Sequence, residues 1–483
     1  MLKLFRVDLN DTLADTAAPR APRIIARAEH PVSRSDISPN ALRVLYRLKE
    51  AGFQAFLVGG CVRDLIIGRH PKDFDVATDA LPDEVRRLFR NCRLVGRRFR
   101  LAHIVYGREV IEVATFRAAS APPPSEEPVP PRDEDEIELD DAPSELDEPD
   151  EPAIANVHRV QDDHGRLLRD NMYGSIDEDV WRRDFTVNAL YYNIADFSIW
   201  DYVDGLADIH ARRLRLIGDV ETRYREDPVR MLRAARFEAK LGFELDAEGV
   251  APIARLRQLL ASVPPARLFD ETCKLFLSGH GEQSLLALRR RGLFGELFPA
   301  VERYLQGHPG GAVEGLLLQG LRNTDERVAE DKPVTPTFLW ALLLYGPIAA
   351  AIESLPQDRW HDVQAIEGAC DRTMREAQQR ISIPRRISLG VAEMFAMQPR
   401  LEGSRGRRSL RLLEQSRFRA AYDLLTLRAS LGLASAEVAL WWTTLQAASF
   451  EEREQMVAAV PASAAGEGSG APRRRRRRSR SRG

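Results

Sequence analysis

Two carboxylates separated by one apolar residue, Asp73 and Asp75, are the residues whose spacing most directly indicates chemistry in this chain. Residues two apart on a strand point to the same face of a sheet, so both side chains would meet on one side. Two like charges that close are costly unless a divalent cation neutralises them, and Mg²⁺ prefers such oxygen ligands. The pair therefore predicts a metal site. The alternative interpretation is a solvated strand end.

A glycine pair lies upstream of the carboxylates, in the stretch FLVGGCVRDLIIGRHPKDFD. Gly59 and Gly60 would present backbone N–H groups at a helix start, which suits phosphate, and Arg63 would add a charged fork on the same turn. Lys72 would offset further phosphate charge. Together with the carboxylate pair, this unit predicts metal-assisted phosphoryl or nucleotidyl transfer. The sequence has no G-x-x-x-x-G-K-[ST] motif, which excludes a Walker-type nucleotide site.

The hydrophobic periodicity around these groups predicts the elements that position them: a helix through Glu50 capped by Ser38, a strand at 55–58, a helix at 61–67, a strand after Pro71, a helix at 82–89 and a hairpin turning at 107–108. The second strand of that hairpin, VIEVATF, carries Glu112 between apolar residues. On a neighbouring strand Glu112 would be the third carboxylate that a two-metal site needs. The alternative is an edge-strand acid that faces water.

Arginine clusters indicate a polyanionic partner. Arg97, Arg98 and Arg100 precede the hairpin, and on a strand the last two would share one face and contact phosphates. A second cluster spans residues 403–419, and an arginine-rich tail at 473–482 would bind RNA in a salt-dependent manner. Solvated arginines with no dedicated partner are the alternative for each cluster.

The segment EDPVRMLRAARF places acids before a proline and arginines after it. Glu226 and Asp227 would lie at a helix N-terminus, with Arg230 and Arg233 one turn apart on one face. One interpretation is a capped helix with internal salt bridges. The other uses Asp227 and Arg230 to hydrogen-bond the edge of a nucleotide base.

Composition bounds the class of protein. The chain has 483 residues, of which 44% are hydrophobic, and a formal net charge of -2. That charge conceals an acidic, proline-rich stretch within 120–155, predicted to be a disordered insert, and a predicted disordered tail at 456–483. Four widely spaced cysteines favour a reduced, cytoplasmic setting, and we expect no transmembrane segment because the most apolar later run is too short to cross a bilayer.

Four motifs, taken in order, resemble those of the class II tRNA nucleotidyltransferase and bacterial poly(A) polymerase superfamily: LVGGCVRDLIIGRHPKDFD, RRDFTVNALYY, DYVDGLADIHARRLRLIGD and EDPVRMLRAARF. The block LVGRRFRLAHIV is similar to the poly(A) polymerase branch rather than to the CCA-adding enzymes. The resemblance covers about residues 35–446.

The resemblance implies an α+β fold, in which a nucleotidyltransferase head with a mixed β-sheet precedes an all-α neck, body and leg. The expected segments are a flexible extension at 1–35, the head at 36–205, the neck at 206–280 and the helical body and leg at 281–455.

The resemblance also assigns roles to residues. Asp73 and Asp75 would bind two Mg²⁺ ions, with Mn²⁺ as the alternative, and Gly59, Gly60 and Arg63 would hold the triphosphate of ATP. Arg183 would contact the nucleotide, and Asp184 competes with Glu112 as the third catalytic carboxylate. Asp227 and Arg230 would read the base, Glu226 would hold the arginine in place, and Arg233 would also bind the nucleotide. The following helical motif, which in the family supports the template helix, contains Pro265, Arg267 and Glu271, and Arg267 would bind RNA.

The expected activity is template-independent addition of AMP to RNA 3′ ends, which promotes RNA decay, by a monomer that meets the RNA-decay machinery. A CCA-adding tRNA nucleotidyltransferase would share every catalytic residue and is the first alternative. An inactive RNA-binding protein that kept the fold is the second, and the intact aspartate pair and Arg63 argue against it.

Overall fold

The computed structural model describes residues 21–96, 100–118, 160–161, 167–169, 173–403 and 406–459. The predicted acidic insert at 120–155 and most of the predicted tail lie outside these residues. The chain divides into two compact units: unit 1 comprises residues 1–230 and 243–252, and unit 2 comprises 231–242 and 253–483. The finer boundaries of neck, body and leg stay predictions.

Unit 1 contains the β-structure. Its strands are β1 Arg23–Ile25, β2 Ala55–Val58, β3 Asp75–Thr78, β4 Cys92–Val95, β5 Leu101–Tyr106, β6 Glu109–Thr115, β7 Val160–Gln161, β8 Leu167–Arg169, β9 Leu190–Asn193, β10 Ile199–Asp201, β11 Arg213–Leu214 and β12 Glu244–Leu245. Eight of them form one mixed sheet in the order β1-β10-β9-β2-β3-β6-β5-β4. All neighbours in this sheet are antiparallel except β3 and β6, which are parallel.

The centre of the sheet determines where the predicted site residues lie. All four residues of β2 are buried, as expected for an apolar run covered on both faces. In the antiparallel pairing of β2 with β3, Val58 lies opposite Asp75, so the turn at Gly59 follows β2 where β3 begins. The parallel pairing of β3 with β6 sets Asp75 beside Glu112. The topology thus brings the glycine turn and two acids to one edge of the sheet.

The helices of unit 1 follow their sequence signals closely. They are α1 Pro39–Glu50, α2 Gly60–Ile66, α3 Pro82–Leu88, α4 Ile176–Arg182, α5 Gly205–His210, α6 Val220–Glu226, the start of α7 Val229–Leu241, and α8 Ala247–Val250. In α1, the Ser38 hydroxyl accepts a hydrogen bond from the Asn40 backbone N–H at 3.2 Å, and one face of the helix is buried.

The regular secondary structure of unit 2 consists of helices alone in its described residues. It holds the rest of α7, then α9 Ile253–Leu256, α10 Pro265–Phe276, α11 Gly281–Arg290, α12 Phe294–Leu297, α13 Pro299–Gly307, α14 Ala312–Ala329, α15 Pro336–Leu343, α16 Tyr345–Glu353, α17 Val363–Gln378, α18 Arg385–Gly403, α19 Arg408–Leu413, α20 Phe418–Ser430, α21 Ala436–Ala447 and α22 Phe450–Ala458. The predicted α+β class, with a mixed-sheet head and a helical remainder, is confirmed.

Helices α15 and α16 form the most apolar part of the described chain. No single helix of the described residues is long and apolar enough to cross a membrane. The two helices together, bent by 57° at their junction, have the length and composition of a membrane span. The bend falls at Leu344, two residues before the Gly346-Pro347 pair. Pro347 lies in the first turn of α16, where the missing N–H of proline costs no helical hydrogen bond.

Three local predictions were wrong. Residues 23–25 form an edge strand, whereas the sequence predicts a flexible extension at 1–35. The strand is not detectable from the sequence because Ile25 alone of the three residues is buried, so no alternation of apolar and polar residues marks it. Asp73 precedes β3 instead of lying within it. Arg100 lies before β5 rather than on a strand, and Arg97 and Arg98 fall outside the described residues.

Candidate active site

The glycine turn between β2 and α2 forms the floor of the candidate site. Gly59 has φ 80° and ψ -135°, a conformation that L side chains rarely adopt. A Cβ added at Gly59 would lie 3.7 Å from Nη1 of Arg183 and 3.9 Å from Oδ2 of Asp75. The open space above this glycine is therefore bordered by a guanidinium on one side and a carboxylate on the other.

Three carboxylates gather at the start of β3. Asp73 is exposed, Phe74 is buried and Asp75 is half-buried, so the two aspartates keep the alternation of a strand although Asp73 lies outside β3. The pKa of Asp75 is raised to about 6, mainly by burial and also by the charges of Glu112 and Asp73, while the charge of Arg183 opposes the rise. Because its neighbours are acids, Asp75 is the carboxylate that would gain most from a cation.

Glu112 and Asp184 differ in what surrounds them. The Glu112 side chain is 48% exposed, lies beside Asp75 in register and has Oε1 3.4 Å from Nε2 of His103. Oδ1 of Asp184 instead accepts hydrogen bonds from the Phe185 backbone N–H at 2.8 Å and from the Asn188 side chain at 3.2 Å. The geometry therefore favours Glu112 over Asp184 as the third carboxylate near Asp75.

Arg183 is held in a fixed orientation. Its Nε donates to the Tyr191 hydroxyl at 2.6 Å and its Nη2 donates to Oδ2 of Asp179 at 3.0 Å. The guanidinium lies over the Tyr191 ring, 4.9 Å from the centroid. Burial alone would lower the pKa of Arg183, but the hydrogen bonds to Tyr191 and Asp179 and the negative charge of Asp179 raise it. Nη1, the nitrogen nearest Gly59, makes no hydrogen bond with any described residue and remains available to a ligand.

Arg63 lies below the glycine turn rather than above it. Its side chain is 1% exposed, and its Nη2 pairs with Oδ1 of Asp64 at 2.6 Å. Its Nη1 donates to the side-chain oxygen of Asn188, and the Asn188 side-chain nitrogen donates to Oδ1 of Asp184. In this structure Arg63 therefore supports the turn and the Asp184 loop, and a direct contact with phosphate would require it to leave these partners.

Glu226 and Arg230, which the sequence predicts to take part in base recognition, belong to a second hydrogen-bond network. Oε2 of Glu226 accepts from Nη1 of Arg223 at 2.8 Å and from Nη1 of Arg230 at 3.2 Å. Nη2 of Arg223 donates to the backbone carbonyls of Arg182 and Arg183, at 2.9 and 2.5 Å. The pKa of Arg223 is lowered to about 10, mainly by burial and also by the charge of Arg230, while Glu226 opposes the decrease. The network ties the end of α6 to the backbone of the segment that carries Arg183.

The remaining predicted residues are dispersed. Lys72 is exposed, and Asp227 follows α6 with Oδ1 accepting from the Val229 backbone N–H at 3.3 Å. Arg100 is half-exposed and 3.8 Å from Asp83. Unit 2 holds Arg233, whose guanidinium lies over the Phe237 ring, together with Pro265, Arg267 and Glu271 of α10, of which Glu271 is buried and paired with Lys274 at 3.1 Å.

Sequence reasoning missed Asp179, Tyr191, Asn188 and Arg223, which hold the predicted residues in place. The available signal was polarity within an apolar run, since Asn188 stands inside TVNALYY and is 7% exposed. A buried amide needs hydrogen-bond partners, which predicts a structural network there.

No group of three metal-ligating side chains is close enough to form a complete metal site in the described part of the chain. The site instead offers the aspartates Asp73 and Asp75, with Glu112 beside Asp75 on the neighbouring strand. Mg²⁺ is commonly bound in this way, through one or two carboxylates while substrate phosphates and water complete its shell. The residues present therefore fit a metal that arrives with its nucleotide.

Three family models match the chain: the Poly A polymerase head domain at residues 55–215, a region described as "Probable RNA and SrmB- binding site of polymerase A" at 242–305, and the Polymerase A arginine-rich C-terminus at 358–482. Poly(A) polymerase I of Salmonella typhi is 44% identical over 90% of this chain and 88% of its own. That of Haemophilus influenzae is 42% identical over 90% of each.

More distant matches share the fold. The CCA-adding enzyme of Lactobacillus johnsonii is 29% identical over 68% of each chain. Among solved structures, the Thermotoga maritima CCA-adding enzyme complexed with tRNA covers 87% of this chain and 85% of its own with a TM-score of 0.51 and 17% identity, which shows the fold alone. With relatives above 40% identity along almost its whole length, the chain belongs to the bacterial poly(A) polymerase I family.

Proposed function

We propose that this chain is a template-independent poly(A) polymerase, a polynucleotide adenylyltransferase that adds AMP from ATP to RNA 3′ ends. The observation that carries the proposal is the 44% identity to a poly(A) polymerase I over 90% of the chain. The relatives named as CCA-adding enzymes match at lower identity and over a smaller share of the chain.

Asp73 and Asp75 would hold the two divalent ions of the family, with Glu112 as the third acid. A bound ion would neutralise phosphate charge and lower the pKa of the attacking RNA 3′-hydroxyl. The observation that favours this placement is the crowding of negative charge around Asp75, which a cation would relieve. Protonation of Asp75 or removal of its carboxylate would remove that preference for a cation.

The glycine turn and Arg183 would position the triphosphate. Gly59 leaves the space between Asp75 and Arg183 free of side-chain atoms, and Nη1 of Arg183 points into the same region. Because Asp179 and Tyr191 already fix the guanidinium, little conformational entropy is lost when it binds phosphate. Exposed Lys72 would add charge near the same edge.

Base recognition would use the network at the end of α6. Glu226 and the Arg223 carbonyl both engage Nη1 of Arg230, so Nε and Nη2 of Arg230 keep their hydrogens for a base edge. Asp227 would accept from an exocyclic amine. Because Arg223 also binds the carbonyls of Arg182 and Arg183, this network would hold base and phosphate contacts in register.

RNA 3′ ends are the partner that this activity requires, and the matched RNA-binding region at 242–305 supports RNA as the partner. We extend the proposal to a monomeric enzyme in a reducing cytoplasm, whose tails promote RNA decay. All four cysteines are free, as the reducing setting requires.

The test uses the purified protein with Mg²⁺, a tRNA lacking CCA and an unrelated RNA, with ATP or CTP supplied singly. Long tails from ATP on both RNAs are the expected result. Incorporation of CTP that halts after CCA on the tRNA would replace the proposal with the CCA-adding alternative. A lack of incorporation from either nucleotide, with RNA binding retained, would favour the inactive RNA-binding protein.

A further inference from the structure

One side of strands β4, β5 and β6 stays accessible beside the candidate site. Along β6, Ile111 and Val113 are buried, whereas Val110 and Glu112 point to the opposite side and are exposed. Helix α3 packs against all of these strands and accounts for the buried side. We call the other side the open face; it consists of Arg93 and Val95 of β4, Leu101, His103 and Val105 of β5, and Val110 and Glu112 of β6.

The open face is more apolar than a water-facing sheet surface usually is. Antiparallel strands normally turn polar side chains toward water. Val110 is instead 38% exposed, and its partner Val105 on the neighbouring strand is half-buried. Leu101 and Val95 form a second half-buried apolar pair. Such a surface suits a ligand with a flat apolar side, for example a nucleotide base.

A row of polar residues crosses the open face from the candidate site. Glu112 lies beside Asp75 on one side and opposite His103 on the other. His103 in turn lies opposite Arg93 on β4, the edge strand of the sheet. Paired residues share a face of the sheet, and with strands about 4.8 Å apart Arg93 lies about 14 Å from Asp75. The charge along the row thus changes from negative at the candidate metal site to positive at the edge.

The placement of the triphosphate leaves this row free for the RNA. The turn at Gly59 and Nη1 of Arg183 lie on the β2 side of Asp75. In phosphoryl transfer the attacking and leaving oxygens lie roughly in line, on opposite sides of the reacting phosphorus. With the leaving pyrophosphate on the β2 side, the attacking 3′-hydroxyl comes from the β6 side. Glu112 and then His103 are the residues of the row on that side.

We propose that the open face binds the 3′-terminal nucleotide of the RNA, with its base on the His103 ring and its 5′ phosphate at Arg93. This inference rests on the proposed function, because that function makes the RNA end the attacking group. The His103 side chain is 28% exposed, and an aromatic ring accepts any base because every base has a π-face. Arg93 is exposed, and its guanidinium suits phosphate oxygens. A platform of this kind fits an enzyme that extends RNAs with different terminal nucleotides.

Photocrosslinking locates the RNA end without requiring catalysis. Two RNAs of the same sequence carry 4-thiouridine either at the 3′-terminal nucleotide or in the middle of the strand. Each is bound to the full-length protein without ATP and irradiated, and the crosslinked peptides are identified by mass spectrometry. The terminal label should crosslink to β4, β5 or β6, and the internal label should not. Terminal crosslinks confined to other parts of the chain would overturn the proposal and leave the open face to another occupant.

Substitution of His103 tests the contact with the base. H103A should raise KM for RNA about 10-fold or more and leave KM for ATP unchanged, because one stacked base is lost. H103F keeps an aromatic ring and should restore most of the affinity. H210A, which removes the exposed histidine at the end of α5, is the matched control and should keep both KM values.

Two results with these variants would contradict the role of His103. A lower kcat in H103A with an unchanged KM for RNA would mean that His103 acts only by orienting Glu112. Equal losses of RNA affinity in H103A and H103F would show that the base does not pack on the ring. Either result would overturn the proposed contact.

Charge changes on the open face provide an independent test by fluorescence anisotropy of labelled RNA. R93Q should lower the slope of log K against log salt by about 0.7, the effect of one phosphate contact, whereas R87Q removes an exposed arginine from α3 and should keep the slope. V110E should weaken RNA binding and V110K should strengthen it. Thermal melting is measured for both Val110 variants, since a shared loss of stability cannot produce opposite changes in affinity. Wild-type binding in R93Q, V110E and V110K would overturn the proposal.

AMP addition by the wild-type protein is measured separately. A protein that adds AMP while its terminal label crosslinks elsewhere would refute the assignment of the open face alone. A protein that adds no AMP while its terminal label crosslinks to the open face would refute the enzymatic function and leave the RNA-binding site in place.

Discussion

Substitution of Gly59 by alanine tests the geometry of the site through a single methyl group. Gly59 has φ 80° and ψ -135°, a backbone conformation that is strained for alanine. The substitution should therefore reduce the free energy of unfolding by about 1–3 kcal/mol. For a domain of roughly 150–250 residues each kcal/mol lowers Tm by about 2–4 °C, so G59A should melt a few degrees below the wild type. The added Cβ contacts nothing closer than 3.7 Å, so the protein should still fold.

The loss of activity in G59A should far exceed the loss of stability. The methyl group would stand between Nη1 of Arg183 and Oδ2 of Asp75, where we place the triphosphate. Displacement of a reacting group by about 1 Å can reduce a rate about 100-fold, and we expect a decrease in kcat/KM for ATP of that order. AMP addition is measured well below the Tm of the variant, so that the folded fraction does not limit the rate.

Gly68→Ala is the matched control, at the other end of α2. Gly68 also has a positive φ, 73°, but a Cβ there would meet no atom within 4 Å. G68A should lose about 1–2 kcal/mol of stability for the left-handed backbone and keep its activity. Equal activity losses in G59A and G68A would attribute both to backbone strain, and full activity in G59A would refute the placement of the triphosphate.

Two further substitutions address the supporting networks. N188A removes the oxygen that accepts from buried Arg63, so the free energy of unfolding should fall by about 1–3 kcal/mol; a thermal melt that matches the wild type would contradict this. E226Q removes the negative charge shared by Arg223 and Arg230, so stability should fall by about 3 kcal/mol and KM for ATP should rise. Denaturant unfolding and initial rates measure the two effects, and an unchanged free energy of unfolding would show that the network does not hold the arginines.

Local signals in the sequence predict much of the head. Helix α1 begins and ends where its serine cap and apolar period indicate, and β2 is the apolar run that precedes the glycine pair. The hairpin of β5 and β6 turns at Gly107, whose positive φ of 62° explains the glycine. These features depend on residues close together in the chain.

Tertiary partners could not be predicted in the same way. The partner of Arg63 is Asn188, 125 residues away, and their contact depends on the order of strands in the sheet. A motif that places an arginine beside a glycine turn suggests a phosphate contact, whereas the fold buries this arginine beneath the turn. The parallel pairing that sets Glu112 beside Asp75 likewise follows from topology and not from either strand alone.

The start of strand β3 shows a further limit of prediction from sequence. Alternating polarity predicts that Asp73 and Asp75 share a strand, yet β3 begins at Asp75. The side chains alternate because the backbone is already extended, while ladder hydrogen bonds start only where β2 and β6 provide partners. Sequence pattern detects the extended backbone and cannot detect where the pairing begins.

The most direct test of the central claim is transfer of labelled AMP from ATP carrying a radioactive α-phosphate to an RNA of unrelated sequence, by the wild type and by D75N. The wild type should build a ladder of labelled products in the presence of Mg²⁺. D75N should build none while binding the RNA with wild-type affinity, because the carboxylate beside Glu112 and Asp73 is lost and the RNA contacts are not. Labelled tails of wild-type length from D75N would contradict the assignment of the reaction to this site.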